Sequence, residues 1–164
     1  MIIFLKNKHT LQVDDFFFKC VVGKKGLSKE KVEGDKKTPK GYFNLGHLFY
    51  RKDRNTKIFT KLKKTKILKS MGWCDDVQKK KYYNKLIKVN KKIKHEKLFR
   101  KDYKYDLLIP IEYNYKNSIQ GLGSCIFIHL INRYKPTAGC IALKKNDFLI
   151  MLKILNKKNN IKIS

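Results

Sequence analysis

Apolar and polar positions alternate in short runs along the first part of the chain, too short for helices. Met1–Leu5 is apolar and predicts a strand; His9–Val13 predicts a second, with His9, Leu11 and Val13 on one face. Phe16–Val22, rich in aromatic and branched residues, is the stronger strand signal, and Gly23–Gly26 reads as a turn. Glu33–Phe43 holds two glycines, a proline and Asp35, so it reads as a constrained loop in which Pro39 pushes Thr38 toward an extended backbone. Tyr42–Leu48 resumes as a strand, and the polar, β-branched stretch Lys57–Leu68 predicts two edge strands or a hairpin. Gly72–Tyr83 has no clean period and reads as a surface loop. Leu86–Val89 and Leu107–Tyr113 predict strands, the second at an edge or bulge because of Pro110. After a tight turn at Gly121–Gly123, Cys125–Leu130 reads as a buried strand, Asn132–Gly139 as a loop and Cys140–Leu143 as the continuation. The clear helical period comes late. Phe148, Met151, Leu152 and Leu155 predict a helix from Asp147 to about Asn156, capped by Asn146. Ile161–Ile163 predicts a final strand.

Many short strands with a terminal helix predict a mainly β sandwich or barrel, with the C-terminal helix laid against it. A length of 164 residues suits one domain, 1–164. Hydrophobic residues make up 42%, enough for a core, which argues against a disordered basic tail. No apolar run approaches the roughly 18 residues that cross a bilayer, so no integral membrane segment is expected. The opening MIIFLKNKHT is too short and too soon charged for a secretory signal peptide.

Charge changes the picture less than its size suggests. The balance of 40 basic against 13 acidic residues gives +27, from 36 Lys and 4 Arg. Lysine dominance together with 12 Asn reads first as compositional bias, with Lys on solvated faces. Such a field still attracts anionic polymers weakly and without specificity. The clusters Lys61–Lys69, Lys79–Lys81 and Lys91–Lys94 match no zinc finger, basic zipper or phosphate loop. A basic binding module for nucleic acid or another anionic polymer is therefore the rival class to an enzyme.

The cysteines, Cys20, Cys74, Cys125 and Cys140, form no CxxC pair and are too few for a disulfide scaffold. His129 ends an apolar strand, and Cys140 follows a Thr137-Ala138-Gly139 turn. A strand–loop–strand return can bring the two together. A thiol beside an imidazole is the unit of cysteine nucleophilic catalysis. Gly139 allows close backbone approach, and the N–H groups of Gly139 and Cys140 are candidate oxyanion donors. On spacing alone, a structural His and a structural Cys are the commoner outcome.

The motifs are more specific than the spacing. His129 followed by Thr137-Ala138-Gly139-Cys140, together with Gly34-Asp35-Lys36-Lys37-Thr38-Pro39-Lys40-Gly41-Tyr42-Phe43, resembles the L,D-transpeptidase catalytic-domain family (YkuD-like) over nearly the whole chain. Many members place Arg two residues after the Cys; here Ile141 and Ala142 follow. This is similar to a subfamily with a PTAGC-[VI]-A segment. Gly72-Trp73-Cys74-Asp75-Asp76 and the run His95-Glu96, Leu98, Arg100, Asp102, Tyr105-Asp106-Leu107 also match it. The resemblance implies an L,D-transpeptidase-like β-sandwich or barrel and a cysteine acyltransferase acting on peptidoglycan stem peptides through a thioester. With water as acceptor, it implies an L,D-carboxypeptidase. It implies Cys140 and His129 as catalytic residues, no metal or cofactor, and a periplasmic or cell-envelope location. The cytoplasm, the export route, the acceptor and the oligomeric state stay open.

The remaining candidates divide between cleft and scaffold. Trp73, Asp75, Asp76 and His95 are candidate substrate-binding residues, as are Arg133, for a substrate carboxylate, and Thr137. His95-Glu96 is not an HExxH, because Phe99 stands at the second His position. A zinc hydrolase built from Cys74, His95, His129 and Cys140 has plausible ligands in no recognised spacing. Asp35, Thr38 and Gly41 read as shaping their loop. If Cys125 to His129 is a regular strand, Cys125 faces the same way as His129 and packs below the site.

Overall fold

The structure is a computed structural model and describes residues 1–131 and 133–164; Asn132, the first residue of the expected Asn132–Gly139 loop, lies outside the described residues. Its elements are β1 (Ile2–Asn7), β2 (Thr10–Val13), β3 (Phe16–Val21), β4 (Leu27–Ser28), β5 (Thr38–Pro39), β6 (Gly41–Asn44), β7 (Leu48–Tyr50) and β8 (Lys64–Lys66). They continue with β9 (Met71–Cys74), β10 (Leu86–Lys88), β11 (His95–Lys97), β12 (Leu107–Pro110), β13 (Phe127–Leu130), β14 (Ile141–Leu143), α1 (Lys145–Ile154) and β15 (Asn160–Ile163). Ten strands form one curled sheet in the order β6-β15-β1-β2-β3-β14-β13-β12-β7-β8. A three-stranded sheet, β10-β9-β11, and the pair β4-β5 complete it. This is the mainly β fold with a C-terminal helix that the pattern predicts.

Alternation decides the two faces of the long sheet. Ile3, Leu5, Leu11, Val13, Phe18, Cys20, Ile161 and Ile163 point into one core, where α1 lays Phe148, Met151 and Leu152, and the following Leu155, at 0% exposure. Each such side chain contributes roughly 1.5–3 kcal/mol by leaving water. A second core lies on the other face of β7, β12 and β13, under the small sheet: Phe49, Trp73, Leu98, Tyr105, Leu108, Phe127 and Cys140. Strand β13 is therefore buried on both faces, which accounts for its unbroken apolar run.

Several elements differ from expectation. Gly72–Tyr83 does not lie wholly on the surface: β9 is the central strand of the small sheet, and Trp73 is 2% exposed. Its period is hidden because both faces are covered. Lys57–Leu68 is no hairpin; within it β8 alone is a strand, paired parallel to β7. Pro110 is not on a sheet edge. It ends β12 beyond the β7 register of Leu107↔Tyr50 and Leu108↔Phe49, so its missing N–H costs no bond there. Asn146 does not cap α1. Lys144 holds the cap position with no side-chain bond, and Phe148 N–H closes the first turn on the Lys144 carbonyl at 2.9 Å. The chain passes from β14 into the helix so directly that the turn starts two residues earlier.

Candidate active site

Strands β13 and β14 are parallel, with Ile128 opposite Ile141 and His129 opposite Ala142. The two-residue period sends Ile128 and Ile141 into the main core and Phe127, His129, Cys140 and Ala142 to the opposite face. Cys140, the residue before β14, thus stands diagonal to His129. Both line one cleft of about 550 Å³.

The sulfur is held from two sides. Phe127 N–H donates to Cys140 Sγ at 3.4 Å, and the thiol donates to the Cys125 carbonyl at 3.2 Å. Burial pushes the Cys140 thiol up to about 12, against the lowering effect of the Phe127 N–H. Burial also pushes His129 down to about 4, partly offset by its backbone bond to Leu130 and reinforced by the nearby Lys104 and Arg100 charges. The resting pair is therefore neutral thiol and neutral imidazole. His129 Nδ1 lies 2.9 Å from the Leu130 carbonyl. A carbonyl accepts, so the proton sits on Nδ1 and Nε2 carries the free lone pair. The Tyr105 ring meets the imidazole edge-on at 5.3 Å, and the Arg100 guanidinium lies 5.0 Å from the centre of the Tyr105 ring.

The two sequence motifs meet behind Cys140. Thr38 Oγ1 donates to the Gly139 carbonyl at 2.7 Å and accepts the Gly23 N–H at 2.9 Å. Gly139 has φ +146°, and a Cβ there would stand 2.9 Å from the Lys37 carbonyl, so both conformation and space call for glycine. Burial works against the charge of Asp35, but bonds from Lys31 Nζ and the N–H groups of Lys37 and Val32 outweigh it and hold the carboxyl below its usual range. Asp35 so fixes the loop that presents Thr38. Thr137 Oγ1 donates to the Cys140 carbonyl at 2.6 Å and accepts the Gly139 N–H at 3.1 Å. Of the two expected oxyanion donors the Gly139 N–H is thus occupied. Cys140 precedes the β13–β14 register, which begins at Ile128↔Ile141.

The other expected residues separate. Arg133 and Thr137 line the cleft with Cys140 and His129, although the Thr137 hydroxyl is spent on the loop. Trp73, Asp75, Asp76 and His95 are not among the lining residues. Trp73 lies beneath the site, its indole N–H on Asn84 Oδ1 at 2.9 Å and its ring against Phe127. Asp75 pairs with Lys94 at 3.5 Å, and Asp76 accepts the N–H groups of Gln78 and Lys94. His95 faces away from Trp73, over Gly72, with Nδ1 2.6 Å from the Ile93 carbonyl. Asp75 Oδ1 and His95 Nε2 are buried without partners. Cys125 is not on the strand; its φ of +54° puts its carbonyl, not its side chain, in the role of partner to Cys140. Among the described residues no three His, Cys, Asp or Glu gather as metal ligands, so the zinc arrangement of Cys74, His95, His129 and Cys140 does not form.

Sequence reasoning missed Glu96, Arg100, Lys104 and Tyr105, which line the cleft. Arg100 bonds Asp102 through Nε and Nη2, at 3.0 and 2.7 Å, and Glu96 Oε1 through Nη1 at 2.7 Å. The signal was the run from His95 to Leu107. The strand period at β11 turns His95 away and Glu96 toward the cleft.

Residues 2–163 match the L,D-transpeptidase catalytic domain (YkuD). Among curated proteins none matches the chain. Two solved structures of the helical cell shape determining protein Pgp2 from Campylobacter jejuni are similar over 99% of this chain. One has 20% identity and a TM-score of 0.51; the other, of a point mutant, has 18% and 0.47. This chain spans 46% and 45% of those chains; at its identity the first shows a likeness of fold. A match over residues 2–163, with the Gly34–Phe43 motif bonded through Thr38 to the Gly139 that precedes Cys140, leads to a single assignment: the chain belongs to the L,D-transpeptidase catalytic domain family.

Proposed function

We propose that the domain is a cysteine acyltransferase acting on peptidoglycan stem peptides, with Cys140 as nucleophile and His129 as base. The observation that carries the reading is the placement of both side chains on one face of adjacent strands, in one cleft, with His129 Nε2 free. As Sγ attacks the carbonyl at the L-centre of the diamino acid, Nε2 takes the thiol proton and a C–S bond forms. The Cys140 N–H stabilises the oxyanion. Collapse breaks the C–N bond, and the departing D-amino acid takes the proton from Nε2. A neutral acceptor amine then attacks the thioester, His129 accepts its proton, and the C–S bond breaks with the proton returned to sulfur.

Cleft charge supports a peptide with a terminal carboxylate and an amine acceptor. Arg133 and Lys104 offer cations at the rim, in place of the Arg that many relatives carry where Ala142 stands. Glu96 is the one lining carboxylate among the described residues, and Oε2 is left outside its Arg100 pair to receive an amine. This favours transfer over hydrolysis. The PTAGC-[VI]-A version of the loop, Pro136–Ala142 here, accords with a distinct substrate choice within the family, and the polymer places the activity in the cell envelope. The test is intact-protein mass after exposure to a D-amino-acid-terminated tetrapeptide stem. An acyl adduct on Cys140, discharged by an added stem amine, supports the reading. Discharge by water alone identifies a carboxypeptidase; an adduct on another thiol refutes the assignment.

A further inference from the structure

The outer face of the long sheet carries a row of side chains that the site above does not use. Tyr42 on β6 is opposite Lys162 on β15, Lys162 is opposite Phe4 on β1, Phe4 is opposite Gln12 on β2, and Gln12 is opposite Phe17 on β3. Five strands thus present ring, amine, ring, amide, ring in one line. The rings are exposed: Tyr42 56%, Phe4 37% and Phe17 61%. Successive rings stand two strands apart, roughly 9–10 Å at the usual strand spacing. Apolar residues on one face of a sheet normally face the core; three aromatics in register on the solvent face mark a surface with a partner. Ile2, Phe4, Tyr42 and Lys162 also border a shallow trough of about 930 Å³, joined by Lys29 and Lys40.

We propose that this face binds the glycan strand of the polymer whose stems enter the cleft; the proposal rests on the function proposed above. A pyranose ring shows C–H groups on its faces and hydroxyls at its rim. The C–H face suits the negative face of an aromatic ring, and the hydroxyls suit amide and amine groups set between the rings. The alternation along the row is that of a β-linked polysaccharide, whose disaccharide repeat is close to the ring spacing. A lipid surface or a second copy of the chain would be served by continuous apolar area, which the interleaved Lys162 and Gln12 interrupt. Lysines around the row suit a polymer that bears stem carboxylates. The face also leads to the cleft. Lys19, on the same face of β3 as Phe17, places Nζ 4.6 Å from the centre of the Tyr134 ring. Tyr134 and Pro136 line a cavity beside it, and Pro136 lines the catalytic cleft as well.

The experiment uses the full chain and its Phe17→Thr/Tyr42→Thr variant. Threonine keeps strand propensity while removing the rings. The probes are glycan strands freed of stems by amidase digestion, a free tetrapeptide stem, and a single-stranded oligonucleotide. The expected result is retention of the stem-free glycan at 0.15 M salt, weakened about tenfold or more in the double variant and unchanged in Cys140→Ser. Adduct formation with the free tetrapeptide stays as in the unaltered chain. Phe17→Trp retains glycan binding and controls for strand damage. Equal glycan binding by the double variant overturns the proposal. So does tighter, ring-dependent binding of the oligonucleotide, or ring-dependent dimerisation in sedimentation. Failure of Cys140 to form an adduct, with ring-dependent glycan binding intact, refutes the catalytic reading alone.

Discussion

Cys140 and His129 are both shifted away from ionisation by burial, so the site starts without a standing thiolate. In the proposed mechanism the thiol proton must therefore leave during attack, a transfer that a positioned base accelerates by about 10²–10⁴-fold. His129→Ala is expected to lose acylation by that factor, read as the rate of adduct formation. Cys140→Ser keeps the fold and loses nearly all turnover, because a hydroxyl proton is harder to remove than a thiol proton. The pH profile follows from the direction of the shifts. His129 sits at about 4 in the fold instead of 6.5, so the acid limb of kcat/KM is expected near pH 4. A limb near 6.5 counts against a buried base. Stability has the same origin. Between pH 6.5 and 4 the unfolded chain binds a proton that the folded chain refuses, so stability is full above 6.5 and falls as pH drops toward 4. The loss is roughly 3 kcal/mol, measured by urea titration of wild type against His129→Gln.

At the scale of elements, the catalytic loop is held by a strand residue about a hundred positions away. Thr38 satisfies the Gly139 carbonyl and the Gly23 N–H together, both buried. Thr38→Val keeps the shape and orphans both groups, so it is expected to cost about 2 kcal/mol or more by denaturant unfolding. It should also slow acylation, because Cys140 follows Gly139 directly, and Thr38→Ser should restore both. Gly139→Ala meets the Lys37 carbonyl and an unfavourable φ, and is expected to cost about 1–3 kcal/mol as well as activity. The Gly34–Phe43 motif is thus legible as a clamp only once the tertiary contact is seen. Its glycines, its proline and Asp35 announce a loop, but nothing local says what the loop holds.

For the whole molecule, +27 is carried by a chain in which the acids are few and several are drawn to arginine. Arg51 bonds Asp53, Arg54 bonds Asp106, and Arg100 bonds Glu96 and Asp102. The lysine majority is left to repel itself in the compact state. Raising salt from about 0.01 to 0.15 M is expected to raise Tm by about 2–4 °C, read by calorimetry, as the Debye length shortens. A fall in Tm would show that ion pairs outweigh repulsion. The described residues contain no helix long and apolar enough to cross a membrane.

The sequence by itself determined β1 and β3 from apolar, aromatic and branched runs and β2 from alternation. It also determined the apolar face of α1, and the family motif, not spacing alone, singled out His129 and Cys140, which line one cleft. Each of these is local: alternation, helical spacing and short-loop return are written in neighbouring residues. Tertiary structure decided the rest. Trp73 reads as a cleft residue until the second core closes over it, because a strand covered on both faces loses its period. His95 and Glu96 are adjacent, and a one-residue choice of register sends one of them to the cleft and the other away. Cys125 leaves the strand through a left-handed residue that branched and aromatic neighbours do not announce. That the Gly139 N–H is taken by Thr137 depended on a bond that closes only in the folded loop. Burial and register are properties of the assembled sheet, and the chemistry of this cleft is set by both.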